Sequence, residues 1–176
     1  MSERSHVVLI GGRSGVGKSA VAAEMHSQLV RAGVSHCCIE GDNLDLAHPT
    51  PWELGQPLAE LNLAAMWHNY RSFGQHRLIY TNTAAVSEPV VDALLRSMGD
   101  DPEVTAVLLT ASDPATLDRL RRREVGSALE IHVERSRAAA RRLEDEAAPW
   151  VTRLSTDDRT VCDIAAEVIA LSGWQQ

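Results

Sequence analysis

Continuous apolar runs alternate along this chain with stretches whose apolar residues recur every three to four positions. Val7-Val8-Leu9-Ile10 leads straight into Gly11-Gly12, the pattern of a strand buried on both faces. The next stretch reads as a helix over about 18–31, stopped by Gly33, and 34–39 reads as a second strand. Residues 41–57 contain Pro49, Pro51 and Pro57 and keep no steady period, which predicts an irregular excursion. Leu63, Met66, Trp67 and Tyr70 then make an i, i+3, i+4, i+7 stripe on a helix over about 58–73, closed by Gly74. A third strand is expected over 77–81. Ser87 and Pro89 open a helix with Val91, Leu94, Leu95 and Met98 inward and Gly99 at its end. A fourth strand spans 104–109, and Asp113-Pro114 reads as an N-cap followed by proline at the first helical position. That helix breaks near Gly126-Ser127, and a polar helix follows to about Ala147. Residues 151–154 form a fifth strand, and Thr160 caps a last helix with Val161, Ile164, Ala165 and Val168 inward. Strands alternating with helices predict an α/β architecture, a parallel sheet covered on both faces.

The length of 176 residues suits one domain with a real core, and no repeat or low-complexity linker divides it. A net charge of −7 argues against non-specific binding to nucleic acid or an anionic membrane, so any anion site must be built locally. The apolar run near the N-terminus is too short for a signal or spanning helix, and the expected location is the cytoplasm. Cys37 and Cys38 are adjacent on an apolar strand, so their side chains should face opposite ways as reduced thiols. With Cys162 alone and the seven histidines scattered, the spacing offers no structural zinc site.

One segment carries chemistry outright. Gly12-Arg13-Ser14-Gly15-Val16-Gly17-Lys18-Ser19 fits G-x-x-x-x-G-K-[ST] at every fixed position, directly after a strand and directly before a helix. Glycines let the backbone wrap a polyphosphate, while successive N–H groups and the helix N-terminus point at the anion. Lys18 supplies a mobile charge for the β- and γ-phosphates, and the Ser19 hydroxyl is placed to ligate Mg²⁺. Lys18 is also the only lysine among 17 basic residues, in a site that wants a compact ammonium rather than a planar fork.

On this motif the chain resembles the P-loop nucleoside-triphosphate-binding proteins, and its length resembles their small-molecule kinases: adenylate, shikimate, gluconate and adenylylsulfate kinases and chloramphenicol phosphotransferase. The resemblance implies a three-layer fold with a five-stranded sheet of order 2-3-1-4-5, a short helical lid over about 119–137, and ATP with Mg²⁺ as ligands. Glu40-Gly41-Asp42-Asn43 resembles the acid-x-acid pair of shikimate kinase and the Asp-Gly-Asp-Asn of adenylylsulfate kinase. By that likeness Asp42 would orient or deprotonate the acceptor hydroxyl and Glu40 would stand in the metal's outer shell; the other reading is an acidic turn. Arg119-Leu120-Arg121-Arg122-Arg123 resembles the start of an adenylate-kinase lid. Arg119 and Arg123, four apart, would converge on a triphosphate, with Arg122 near the same face and Arg135 or Arg137 coming from the second arm. Its competitor is a solvated, salt-bridged helix, because Glu130, Glu134, Glu144 and Asp145 lie nearby. The loop 154–160, with Asp157 as the residue singled out, is where many such kinases close over adenine; it also reads as an ordinary capped turn.

One departure stands out: strand three of most P-loop proteins ends in an aspartate that holds the magnesium shell, and Arg77-Leu78-Ile79-Tyr80-Thr81-Asn82-Thr83 has no acid. Either Glu40 and Asp42 take over with Ser19 as the metal set, or metal binding is weak. Acceptor recognition is expected from 43–73, with His48, Trp52, Glu53, Trp67, His68, Asn69 and Arg71 as candidates; Trp67 also fits the apolar stripe as core. Two functions follow: transfer of the γ-phosphate of ATP to a small molecule, or an ATP-binding or ATPase-type resistance or regulatory protein without transfer. A GTPase switch is disfavoured, because its Asn-Lys-x-Asp needs a second lysine. Either a monomer or a homodimer fits.

Overall fold

A computed structural model of the protein describes residues 4–123 and 129–175, with the side chains of 123–132 outside the described set. Five strands, β1 (His6–Gly11), β2 (Cys37–Glu40), β3 (Arg77–Thr81), β4 (Glu103–Thr110) and β5 (Thr152–Ser155), form one parallel sheet in the order β2-β3-β1-β4-β5. Among the described residues, helices α1 (Lys18–Arg31), α2 (Leu58–Ser72), α3 (Glu88–Met98), α4 (Asp113–Arg123) and α5 (Leu129–Glu146) connect them, and α6 (Val161–Ser172) follows β5.

The sheet is buried on both faces because its strands alternate between two cores. Val7, Leu9, Leu78, Tyr80 and Leu108 meet Leu63 and Trp67 of α2 and Val91, Leu94 and Met98 of α3. Val8, Ile10, Ile79, Val107 and Leu109 meet Val21, Met25 and Leu29 of α1 and Ile164, Ala165 and Val168 of α6. Successive side chains of one strand thus serve opposite layers, and the middle of β1 is sealed from water. All five strands run the same way, so their carboxyl ends share one edge, where an open α/β sheet places its ligand crevice.

Several local expectations shift. Strand β2 begins at Cys37, because Val34 N donates to the Leu29 carbonyl and closes α1 after the left-handed Gly33. Helix α4 is capped one residue earlier than expected: Ser112 Oγ accepts from Ala115 N at 3.4 Å, leaving Asp113 as its first residue. Val161 is 41% exposed, since it opens α6 on the solvent side. The break at Gly126-Ser127 lies outside the described residues. Trp67 is core, only 1% exposed, with its Nε1 donating to Asp100 Oδ2 at 3.2 Å. Arg71 pairs with the same carboxylate at 3.2 Å, hydrogen-bonds His76 and stacks over the Trp67 ring. This cluster adjoins the start of β3, at the amino edge of the sheet, so Trp67 and Arg71 stand away from the crevice. Among the described residues no helix is long and apolar enough to cross a membrane.

Candidate functional site

The turn between β1 and α1 has a backbone that other residues would obstruct. Gly12 sits at φ 141°, and a Cβ there would come 2.7 Å from the Leu109 carbonyl oxygen. Gly15, at φ 83°, has the side chains of Thr116 and Leu120 2.9 Å from its would-be Cβ. Val16 is buried beneath the loop, and α1 starts at Lys18 with no acidic residue in its first turn to compete for an anion. The Lys18 ammonium spans the loop, donating to the Gly12 carbonyl at 2.9 Å and to Thr83 Oγ1 at 3.4 Å.

A cavity of about 380 Å³ opens over this turn, lined by Ser14, Gly15, Gly17, Lys18, Ser19, Ala20, Asp42, Arg119 and Leu120. From α4 the Arg119 guanidinium ties two loops together, donating to the Val16 carbonyl at 3.1 Å, Thr156 Oγ1 at 2.8 Å and the Thr156 carbonyl at 3.2 Å. Asp42 reaches the cavity from the 3₁₀ turn Gly41–Asn43 that follows β2. Its Oδ1 accepts from Asn82 Nδ2 at 2.8 Å and from Thr83 N at 3.3 Å. The carboxylate absent from strand three in the sequence is therefore tethered to the end of that strand from its neighbour. Glu40 lies beside the cavity, sharing an adjoining groove with Ser19 and Thr81, so Ser19 stands between the two acids.

Other expected residues do different work. The Arg13 side chain is 6% exposed and committed to Asp113 Oδ1 at 2.5 Å and Ser136 Oγ at 3.0 Å, leaving only its backbone N–H for an anion. Ser136 in turn donates to the Ser14 carbonyl at 2.9 Å, and Arg137 meets Asp113 at 3.2 Å. Helix α5 is thus clasped to the phosphate loop. The Arg13 hydrogen bond, and with it the charges of Arg13 and Arg137, hold the Asp113 carboxyl below the usual carboxylate range against an opposing effect of burial. Arg122 pairs with Asp118 at 2.8 Å on the solvent face. Arg123 ends α4, and its side chain lies outside the described residues. Asp157 does not line the cavity; its Oδ2 accepts from Ser112 N at 2.8 Å and pins the β5–α6 loop to the start of α4. Of the acceptor candidates, His48, Trp52, Glu53, His68 and Asn69 are exposed.

Comparison with known proteins bears on this geometry. The family model for adenylylsulphate kinase matches residues 4–57, the stretch that holds both the phosphate loop and the Glu40/Asp42 pair. Among solved structures, the Mycobacterium tuberculosis APS kinase in complex with AMPPNP and APS aligns over 96% of this chain and 97% of its own, at 23% identity and TM-score 0.58. A gluconokinase from Sinorhizobium meliloti aligns over 97% and 94%, at 18% identity and TM-score 0.61. The fold is that of the P-loop small-molecule kinases. The Deinococcus radiodurans tunicamycin resistance protein is similar to it too, over 97% and 96% at 21% identity and TM-score 0.65. No curated protein matches the chain significantly.

Within this P-loop kinase fold, sequence reasoning missed Asn82, Thr83 and Thr156, which hold Asp42, Lys18 and Arg119. The one available signal was position: all three follow the carboxyl ends of strands, where short polar side chains reach the crevice. It also passed over Gly41. A Cβ there would overlap the Tyr80 hydroxyl and stand 2.8 Å from the Thr81 carbonyl oxygen, so only glycine lets the chain turn over Tyr80 and deliver Asp42. Burial, with the carboxylates of Asp42, Asp45 and Glu60 nearby, pushes the Tyr80 phenol up, keeping it neutral in that packing. Gly41→Ala is expected to cost about 1–3 kcal/mol, the usual range for overpacking, read as a lower midpoint in urea unfolding. An unchanged midpoint would show that the Gly41–Tyr80 contact yields freely.

Proposed function

We propose that this protein transfers the γ-phosphate of ATP to a hydroxyl of a small molecule. The observation that carries this reading is the tethering of Asp42 by Asn82 and Thr83 at the rim of the cavity that Lys18 and Ser19 also line. The loop N–H groups and the α1 N-terminus would hold the phosphates, and Lys18 with Arg119 would neutralise charge that grows on the transferring group. Asp42 would orient the acceptor hydroxyl and take its proton. The donors fit Mg²⁺ by their chemistry, since Ser19 and Asp42 offer oxygens within one cavity and Glu40 stands in the groove beside it. When bound, Mg²⁺ supplies neutralisation of phosphate charge. The clasp of α5 on Ser14, with Arg119 across the loop, would exclude water from the transfer.

Acceptor binding is assigned to the excursion after β2, where His48, Trp52 and Glu53 are exposed. The neighbours are named for APS, gluconate and tunicamycin, and another was solved with shikimate, so adenylylsulfate, gluconate, shikimate and tunicamycin form the first test panel. Purified protein with ATP and Mg²⁺ should give a new phosphoester signal by phosphorus NMR with at least one hydroxylated acceptor, beside ADP. Release of inorganic phosphate alone, whatever acceptor is present, would overturn transfer and favour the ATPase-type reading.

A further inference from the structure

Outside the phosphate cavity, a second group of side chains converges at the open side of the sheet. Helix α1 presents Ser19, Ala22, Ala23 and His26, spaced i, i+3, i+4, i+7, to a groove of about 450 Å³ whose opposite wall carries Cys38 and Glu40 of β2. At the end of this groove farthest from Ser19, donor atoms of His26, His36 and Cys38 all lie within 4.8 Å of one another. We propose that His26, His36 and Cys38 form a three-ligand site for a thiophilic divalent ion, zinc first, with the fourth position open to solvent.

The geometry of the imidazoles is what distinguishes this group from a chance meeting. His36 Nδ1 lies 2.8 Å from the Val34 carbonyl oxygen, which can only accept, so Nδ1 carries the proton and Nε2 carries the lone pair. That lone pair points at His26 Nδ1, 2.9 Å away. A metal-bound histidine is oriented in the same way, its second nitrogen donating to a backbone carbonyl. Burial, with the His26 ring behind it, lowers the His36 pKa despite the Val34 bond. Two imidazole nitrogens and a thiolate suit zinc or its softer neighbours and not Mg²⁺, so this site and the oxygen donors at Ser19 and Asp42 would sort the two ions. With Zn–N of about 2.0–2.1 Å and Zn–S of about 2.3 Å, tetrahedral ligands stand roughly 3.3–3.6 Å apart. The two imidazole nitrogens stand 2.9 Å apart and no pair of donors is more than 4.8 Å apart, and His26 and Cys38 are exposed, so they can rotate into that range.

Binding exchanges protons for the ion. The Cys38 thiol gives its proton to solvent as the metal–sulfur bond forms. The proton on His26 Nδ1 moves through water to His26 Nε2, a change of tautomer with no net release. One proton is therefore released per ion, and the Glu40 carboxylate that disfavours a bare thiolate attracts the dication. The sequence hid this site because His26 and His36 are ten positions apart, a gap closed by the turn at Gly33.

The test is a Co²⁺ titration of the full, reduced chain in excess Mg²⁺. A 1:1 tetrahedral spectrum with a thiolate-to-cobalt charge-transfer band, bleached by equimolar Zn²⁺ and accompanied by release of about one proton, is the expected result. Cys38→Ser should abolish the band, and His26→Gln should weaken binding at least about tenfold. Cys162→Ser, beside Gln28 rather than in this group, should leave both unchanged. Should Cys38→Ser fail to fold by circular dichroism, the exposed His26→Gln carries the test alone. The proposal is overturned by a band that survives in folded Cys38→Ser, by unaltered affinity in His26→Gln, or by no band in the wild-type chain.

Discussion

Replacing Lys18 by alanine should lower phosphoryl transfer by on the order of a thousandfold or more, the scale on which a single charged group at a transferring phosphate acts. Lys18 is 8% exposed and its ammonium is held over the phosphate loop by Gly12 and Thr83, so it is pre-positioned in a pocket where little water screens it. Alanine also strips the Gly12 carbonyl of that donor, a loss of about 1 kcal/mol or somewhat more that circular dichroism and thermal melts would register separately. Lys18→Arg keeps the charge but substitutes a planar fork for a point charge, and should restore little of the rate. Because the chain has no other lysine, the same residue can be tested chemically. An amine-directed reagent should inactivate the protein in step with modification of Lys18, and ATP should slow both. Full activity after complete modification at Lys18 would remove it from the mechanism.

The second large effect is expected at Asp42. Asp42→Asn retains an oxygen able to accept from Asn82 Nδ2 and Thr83 N, so the turn keeps its shape while the carboxylate loses its capacity to take a proton. Turnover should fall by roughly 10²–10⁴-fold, the usual contribution of a positioned base, with ATP affinity changed far less. Steady-state kinetics beside equilibrium nucleotide binding separate the two. Wild-type turnover in this variant would show that Asp42 is not the base. Equal losses in turnover and affinity would assign it to holding the nucleotide.

Residues whose roles depend on neighbours close in sequence were legible from the chain alone. The apolar runs at 7–10, 78–80 and 106–109 announce strands because burial on both faces leaves no polar position free, and the bounds of α1 follow from Lys18 after the loop and Gly33 after the last turn. The sheet order came by resemblance through the phosphate motif and agrees with the strand pairings. What stayed hidden depends on contacts between distant segments. Asp113 reads locally as a cap, yet Ser112 takes that office and Asp113 turns to Arg13, one hundred residues away. Arg71 reads as a ligand because it falls in the segment 43–73 expected to recognise the acceptor, but α2 runs back along the sheet and carries it to the opposite edge, where Asp100 meets it. Asn82 looked like a missing acid, and only the adjacency of β2 and β3 shows that it holds one.

The clasp between α5 and the phosphate loop makes the two mechanical partners. Raising α5 must break Arg13–Ser136, Ser136–Ser14 and Arg137–Asp113 together, and Arg13 and Ser14 are themselves links of the loop. On the proposed function, an anion seated on the loop N–H groups would stiffen the same atoms that hold the helix down, and its departure would loosen both. Arrival and release of phosphate would then be geared to any lifting of α5, with no separate latch needed to keep them in step.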